Sequence, residues 1–269
     1  MPRMELSGRT VLLTGASGGI GQAIARALHA RRAALVVTAR RAEVLEELRT
    51  ALGEERVEAV VADLSDRDDV ASLAERSSEA DVLVANAALP ASGKIDDFTP
   101  EEIDRALEVN LRAPIQLARA LVPRMVERGS GHLVFISSLS GKVATARSAL
   151  YSATKFGVRA FAAGLREDLH GSEVGVTTVF PGFISDAGLF AESGVTLPAG
   201  VGTRTPEQVA EAVIRGIERG KSEIDVAPLG LRAGTFMSTL APNLTAPIQR
   251  RLGSAELAQA IAEGQADKR

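Results

Sequence analysis

The stretch VLLTGASGGIG, residues 11–21, decides the fold. Val11–Thr14 is a short apolar run of strand type that passes directly into glycines, and Ile20–Ala30 reads as a helix. Glycines between a strand and a helix let backbone N–H groups approach a ligand closely. The helix N-terminus adds a positive field, so this turn suits a pyrophosphate. The spacing is Gly15-x-x-x-Gly19-x-Gly21, with Ser17, Gly18 and Ile20 at positions between. Alone it would be only a tight turn; between a strand and a helix it is read as a nucleotide site.

Outward from that turn, the pattern of the first unit repeats. Strand-like runs at Leu35–Thr38, Val57–Ala62, Val82–Ala85, Leu133–Ser137 and Val174–Phe180 alternate with helix-length segments. The helical region from Pro100 to Arg128 is expected to kink near Pro114 and again at Pro123. Thr205-Pro206 marks a further helix start, and Ile224–Ala227 a last strand. Short buried strands alternating with helices predict an α/β protein, a doubly wound parallel sheet of Rossmann-like type with helices on both faces. Residues 1–227 are expected to form one dinucleotide-binding domain that includes a Gly/Ser/Ala-rich loop, 183–204, of the length used for substrate binding. Residues 228–269, with Leu231, Phe236, Met237, Leu240, Leu244, Ile248 and Leu252 scattered through them, are expected to form short helices packed on the domain or on a partner subunit.

Composition narrows the function. Hydrophobic residues make up 45% and charged residues 24% of 269 residues, as in ordinary globular proteins. A net charge of −3 gives no electrostatic footprint for nucleic acid. The absence of cysteine excludes disulfides and thiol nucleophiles, and three dispersed histidines give no metal-ligand spacing, so no metal is expected. No run reaches the ~18 apolar residues of a membrane span and no signal peptide is recognised, so the expectation is a soluble, cytoplasmic protein.

Several side chains fall where such a sheet binds ligands. The second strand runs into Ala39-Arg40-Arg41 with no carboxylate before Glu43. An arginine there suits the 2′-phosphate of NADP(H), whereas NAD(H) sites place an acid at this point. Asp63 and Asn86 close the third and fourth strands at the carboxyl edge. Asp63 suits an adenine amino group or a cap on the next helix, and the sequence leaves both open. Tyr151, the only tyrosine, precedes Lys155 by one helical turn, and a nearby cation favours the phenolate.

With these pieces in place, the chain resembles the short-chain dehydrogenase/reductase family. TGASGGIG at 14–21, Asp63-Leu64, Asn86-Ala87-Ala88, Asn110, Ser138, YSATK at 151–155 and Pro181-Gly182 carry the likeness over roughly the first 225 residues. ISSLSGKVATARSALYSATKF, 136–156, is locally similar to the 11β-hydroxysteroid dehydrogenase-like members. The resemblance implies that Tyr151 is the acid in carbonyl reduction and the base in alcohol oxidation. It implies that Lys155 holds the nicotinamide ribose and lowers the tyrosine pKa, that Ser138 bonds the substrate oxygen, and that Asn110 helps hold a relay water. Asn86, Ala87, Ala88, Pro181, Gly182 and Ile184 would flank the nicotinamide, while Ser137 and Ser140 are structural.

Three departures qualify the likeness. The basic residue that relatives often carry before the second motif glycine is Gly18 here, which leaves Arg40 to select NADP(H). Asp186 stands where many members have a threonine that contacts the carboxamide, with Ser185 as a substitute. The C-terminal sequence lacks the glycine-rich final strand of many tetrameric reductases, so a homodimer is the expected homo-oligomer. The expected activity is NADP(H)-dependent interconversion of a carbonyl and an alcohol on a lipophilic small molecule, with pocket segments Leu139–Leu150 and Phe183–Thr203. The alternatives are a non-catalytic NADP(H)-binding sensor or scaffold, and an epimerase or dehydratase of the extended branch.

Overall fold

Seven short runs of aliphatic and β-branched residues pair edge to edge in the computed structural model, which describes residues 2–198, 201–251 and 254–268. The elements follow in order: β1 (Thr10–Thr14), α1 (Gly19–Ala30), β2 (Ala34–Ala39), α2 (Ala42–Leu52), β3 (Val57–Val61), α3 (Arg67–Arg76), β4 (Val82–Ala85) and α4 (Pro100–Leu107). A π-helical turn (Glu108–Arg112) leads into α5 (Ala113–Glu127), followed by β5 (Gly131–Ile136), α6 (Ala149–Asp168), β6 (Val174–Pro181) and α7 (Gly188–Ala191). The chain continues through α8 (Pro206–Arg219), β7 (Glu223–Val226), α9 (Leu229–Leu240), α10 (Pro242–Arg251) and α11 (Ser254–Gly264). Ala199, Gly200 and Leu252, and the side chain of Ile248, lie outside the described residues.

All pairings are parallel, in the order β3-β2-β1-β4-β5-β6-β7. The strand period of two divides the core. Val11, Leu13, Val82, Val84, Val134 and Ile136 face a layer that includes α1 and α8, with Ile24, Leu28, Val213 and Ile217. Leu12, Leu83, Leu133 and Phe135 face the opposite layer, with Leu117, Leu121, Val158 and Ala162 from α5 and α6. A sheet covered on both faces needs strands that are apolar throughout, which is why β4 and β5 are buried along their whole length. Phe135 meets Phe161 edge to face at 5.7 Å between ring centroids. Burying a side chain of this size contributes roughly 1.5–3 kcal/mol.

The expected breaks in the 100–128 region are only partly there. The chain departs from α-helical winding at Glu108–Arg112, where the Ala113 N–H reaches back to the Glu108 carbonyl. Pro114 follows and has no N–H to give the carbonyl four residues earlier, that of Asn110. Pro123, by contrast, lies inside an unbroken α5. Thr205 caps α8 as expected, its hydroxyl accepting the Gln208 N–H while Gln208 reaches back to the Thr205 N–H.

Chain direction across the sheet reverses between β1 and β4, so their carboxyl ends flank a crevice. Thr14 holds the two ends together: its buried hydroxyl accepts the N–H groups of Asn86 at 3.0 Å and Ala87 at 3.1 Å. The Asn86 side-chain amide returns the link, donating to the carbonyls of Thr14 and Gly15. Thr14→Val keeps the shape but leaves two backbone donors without that acceptor. Its expected cost is about 1–3 kcal/mol, read as a lower urea midpoint at unchanged slope, with Thr14→Ser losing less.

Candidate active site

The site is built on α6, which lies against the ends of β5 and β6. Tyr151 and Lys155 occupy successive turns of one face, with the Lys155 Nζ 5.7 Å from the Tyr151 ring centroid. The Tyr151 ring packs against the cluster formed by Ala91, Phe98, Ala106 and Leu150, and its N–H donates to the Ala91 carbonyl at 3.2 Å. Lys155 is buried, and its Nζ donates to the Ile136 carbonyl at 3.0 Å. One residue on, the Ser137 hydroxyl donates to the Lys155 carbonyl at 2.9 Å. Ser137 is therefore a structural link between β5 and α6.

Ser138 begins the short turn after β5. Its hydroxyl accepts the Ser140 N–H at 3.1 Å, points a proton at the Pro181 carbonyl 3.4 Å away, and is near enough to the Tyr151 phenol to favour its ionised form. Ser138, Tyr151 and Lys155 are thus brought together at the carboxyl edge of the sheet, with Pro181 beside them.

The expectation that Lys155 draws the tyrosine pKa down is not met by the protein alone. Part of the Tyr151 surface is accessible, yet burial pushes its phenol up to about 12, with the Ser138 hydrogen bond opposing this. Burial also pulls the Lys155 ammonium down to about 8. Desolvation by burial is the largest cause of both shifts.

Asn110 sits within the π-helical turn and is buried. Its side chain is tied to one residue: Oδ1 accepts the Leu89 N–H at 2.6 Å and Nδ2 donates to the Leu89 carbonyl at 3.0 Å. Pro114 cannot give the Asn110 main-chain carbonyl the ordinary α-helical N–H donor.

The glycine turn is fitted to a backbone approach. Gly15 has φ +68, and a Cβ there would lie 2.7 Å from the Ala87 Cα. A Cβ on Gly21 would lie 2.1 Å from the Gly15 carbonyl oxygen. Gly18, the N-cap of α1, has only the Gly15 oxygen near its Cβ position, at 3.6 Å, so the protein's own packing does not require glycine there. At Gly19 a Cβ would strike the Cβ of Ala187, which brings the loop after β6 onto the turn.

At the end of β2 the structure adds a residue that the sequence reading treated as secondary to Arg40. Arg41 folds back onto the turn, its Nη2 donating to the Ser17 carbonyl at 3.0 Å and approaching the Ser17 hydroxyl at 3.4 Å. The doublet Arg40-Arg41 was the available signal. Asp63 does not cap α3; Asp66 does, accepting the N–H groups of Asp68 and Asp69. Asp63 instead accepts from the N–H and hydroxyl of Ser65. Burial works to raise its carboxyl, but those two bonds and the charges of Arg40 and Arg105 win, and the pKa lies below the usual carboxylate value. Leu64 is buried in the α3 and α5 layer, and Ala88 follows Ala87 on the loop after β4. Ile184 is buried in the opposite layer and pairs with Arg204 across the loop, so its side chain belongs to the core.

Loop 183–204 holds the short helix α7 and encloses an open groove of about 730 Å³. Phe190, Val195, Leu197 and Val201 line it together with Ser185 and Asp186, whereas residues 139–150 do not. Phe183 packs on Phe190 with ring centroids 4.8 Å apart. Among the described residues no three His, Cys, Asp or Glu side chains form a group suited to a metal ion.

A single parallel sheet with helices on both faces and a glycine turn at its reversal point is the Rossmann-like α/β fold. Residues 9–194 match the short chain dehydrogenase family. The ketoacyl reductase HetN of Nostoc sp. is 35% identical over 229 residues, 82% of this chain and 79% of that protein. Dehydrogenase/reductase SDR family member 7B of Bos taurus is 31% identical over 264 residues, 90% of this chain and 80% of that one. A short-chain dehydrogenase from Sphingobium yanoikuyae, solved in complex with NADPH, superposes with a TM-score of 0.77 at 29% identity, covering 88% of this chain and 95% of that one. The chain belongs to the short-chain dehydrogenase/reductase family of oxidoreductases.

The Lys155 shift makes stability depend on pH. Its folded pKa lies below its ordinary value of 10.5, so between about pH 8 and 10.5 the unfolded chain binds more protons and stability rises with pH. Tyr151 acts in the opposite sense, and only above pH 10. Urea unfolding of cofactor-free protein from about pH 7 to about pH 9.5 should show the wild type gaining on Lys155→Met by an amount on the order of 2 kcal/mol. A flat difference would place the Lys155 titration outside this window.

Proposed function

We propose that this protein is an NADP(H)-dependent oxidoreductase that interconverts a carbonyl and an alcohol on a lipophilic small molecule, with Tyr151 as its acid–base residue. The carrying observation is the meeting of Ser138, Tyr151 and Lys155 at one sheet edge, beside a turn where Gly15 and Gly21 leave no room for a Cβ. A turn so fitted, with an arginine pair at the end of β2, suits an anionic dinucleotide. Gly15, Ser17, Gly18, Gly19, Ile20 and Gly21 would hold the pyrophosphate. Arg40 and Arg41 would hold the 2′-phosphate, with Asp63 and Leu64 at the adenine. Asn86, Ala87, Ala88, Tyr151, Lys155, Pro181, Gly182 and Ile184 would flank the nicotinamide half. Bound NADP(H) supplies or accepts the hydride.

The chain's own groups manage the oxygen and its proton. Ser138 donates to the substrate oxygen as negative charge gathers there. Tyr151 gives that oxygen its phenolic proton in reduction and takes it back in oxidation. A phenol held near 12 is protonated at neutral pH and so has the proton to give as an acid. Lys155 presents a buried cation to the ribose hydroxyls, and the Asn110 carbonyl is the acceptor for a relay water. Phe190, Val195 and Leu197 line the groove and Phe183 packs on Phe190, which supports a lipophilic substrate.

Tyr151→Phe tests the acid–base role. Turnover in an NADPH-oxidation screen of steroids, acyl ketones, aldehydes and quinones should fall by about two to four orders of magnitude while NADPH binding is retained. Near-wild-type turnover would remove Tyr151 from the chemistry, and NADPH binding without turnover by the wild type across the panel would favour the sensor reading. For the cofactor, Arg41→Ala should raise KM for NADPH by about tenfold, and the Arg40→Ala/Arg41→Ala double variant by more, with KM for NADH unchanged. Equal losses for both cofactors would show that the pair shapes the turn and does not read the phosphate.

A further inference from the structure

Nine large apolar side chains are exposed among the described residues, and five of them fall on α9 and the start of α10. Leu229, Phe236, Leu240 and Leu244 are 75%, 62%, 65% and 72% exposed, with Met237 beside them. On α9, Leu229, Ala233, Phe236 and Leu240 recur at i, i+4, i+7 and i+11, so they form one stripe along the helix. In this helix only Ser238 is buried. The stripe therefore faces away from the sheet.

The charge of the segment says what covers it. From Val226 to Ala255 the sequence holds three arginines, Arg232, Arg250 and Arg251, and no acidic residue, in a chain with 34 acids and a net charge of −3. Arg232 lies at the base of the hairpin, 3.8 Å from Asp225. A two-fold contact with a second copy would set this basic segment against itself with no acid of its own to meet. An apolar stripe in a segment whose own charged residues are all basic complements an anionic lipid surface.

We infer that the α9–α10 hairpin is a membrane-surface binding element that lays Leu229, Phe236, Met237, Leu240 and Leu244 into the interface of an anionic bilayer without spanning it. No helix among the described residues is long and apolar enough to cross a membrane. The hairpin is fixed at its two ends. Pro228 lies against Gly202, where a Cβ would meet its ring at 3.1 Å, and after α11 the buried Gln265 donates its amide to the Leu189 carbonyl at 2.7 Å. Lipid contact at the stripe thus leaves the sheet and its carboxyl edge untouched, and it does not depend on the identity of the substrate.

Flotation of the full chain with phosphatidylcholine vesicles, with and without an equal part of phosphatidylglycerol, tests this. The wild type should float with the anionic vesicles and stay behind with the neutral ones. Phe236→Glu/Met237→Glu should cut the bound fraction at least about tenfold, with the circular dichroism spectrum and NADPH binding in lipid-free buffer unchanged. Arg250→Ala/Arg251→Ala should weaken the preference for phosphatidylglycerol. Failure of the wild type to float with anionic vesicles would overturn the inference, as would flotation indifferent to the glutamates. A wild-type dimer in sedimentation that the glutamates turn into a monomer would also overturn it, assigning the stripe to a second copy.

Discussion

Lys155 ties the chemistry of this protein to its architecture. Its ammonium holds the Ile136 carbonyl at the end of β5, and its own carbonyl is held by Ser137 one residue further along. Two hydrogen bonds of opposite sense therefore pin one turn of α6 to one strand end. Gly141 packs into the same joint, where a Cβ would come within 2.7 Å of the Lys155 carbonyl oxygen. The register of α6 on β5 follows, and with it the position of Tyr151 one turn earlier and of Ser138 one residue later. Burying an amine to make such a joint is costly, which is why its pKa falls. The arrangement gains most when a ligand brings further acceptors to the ammonium.

The crevice between β1 and β4 is governed by the same economy of backbone groups. Thr14, Asn86 and the Gly15 carbonyl satisfy one another across the reversal point, so the strands can end there without unpaired polar atoms. Asn110 does the same for Leu89 on the next loop. Both asparagines sit at positions that the family resemblance marks as functional, and their side chains also bond the scaffold.

Much of this was legible in sequence because it is written in local chemistry. Strands apolar on both faces forecast a covered parallel sheet, and Thr205-Pro206 forecast a helix start that the Gln208 cap completes. The glycine spacing forecast the turn, since only glycine tolerates the approach of Ala87 to residue 15. What escaped depends on distance along the chain. Nothing local shows that Arg41 folds 24 residues back onto Ser17, or that Asp66 takes the helix cap and leaves Asp63 to Ser65. Pro123 misled because a missing N–H bond is affordable in a helix whose apolar face, with Leu117, Leu121 and Met125, is fully buried. The tyrosine pKa misled because proximity to a cation was weighed and shared burial was not.

Loop 183–204 shows how far such long-range contacts reach. Its front half lies on the glycine turn through Ala187 and Gly188, the latter in a left-handed conformation with Ile20 against it. Its α7 segment is held from behind by the far end of the chain: Gln265 binds the Leu189 carbonyl, and Gly264 fits so closely on Ser193 that a Cβ would overlap its carbonyl oxygen. The groove wall is thus gripped between the nucleotide turn at one side and the last helix at the other. A ligand that shifts the turn must move Ala187, and a change in the tail must move Leu189. The contacts that support the groove wall consequently come from both ends of the chain, while the residues proposed for the chemistry come from its middle. That separation lets groove and tail vary while the Ser138, Tyr151 and Lys155 joint stays fixed.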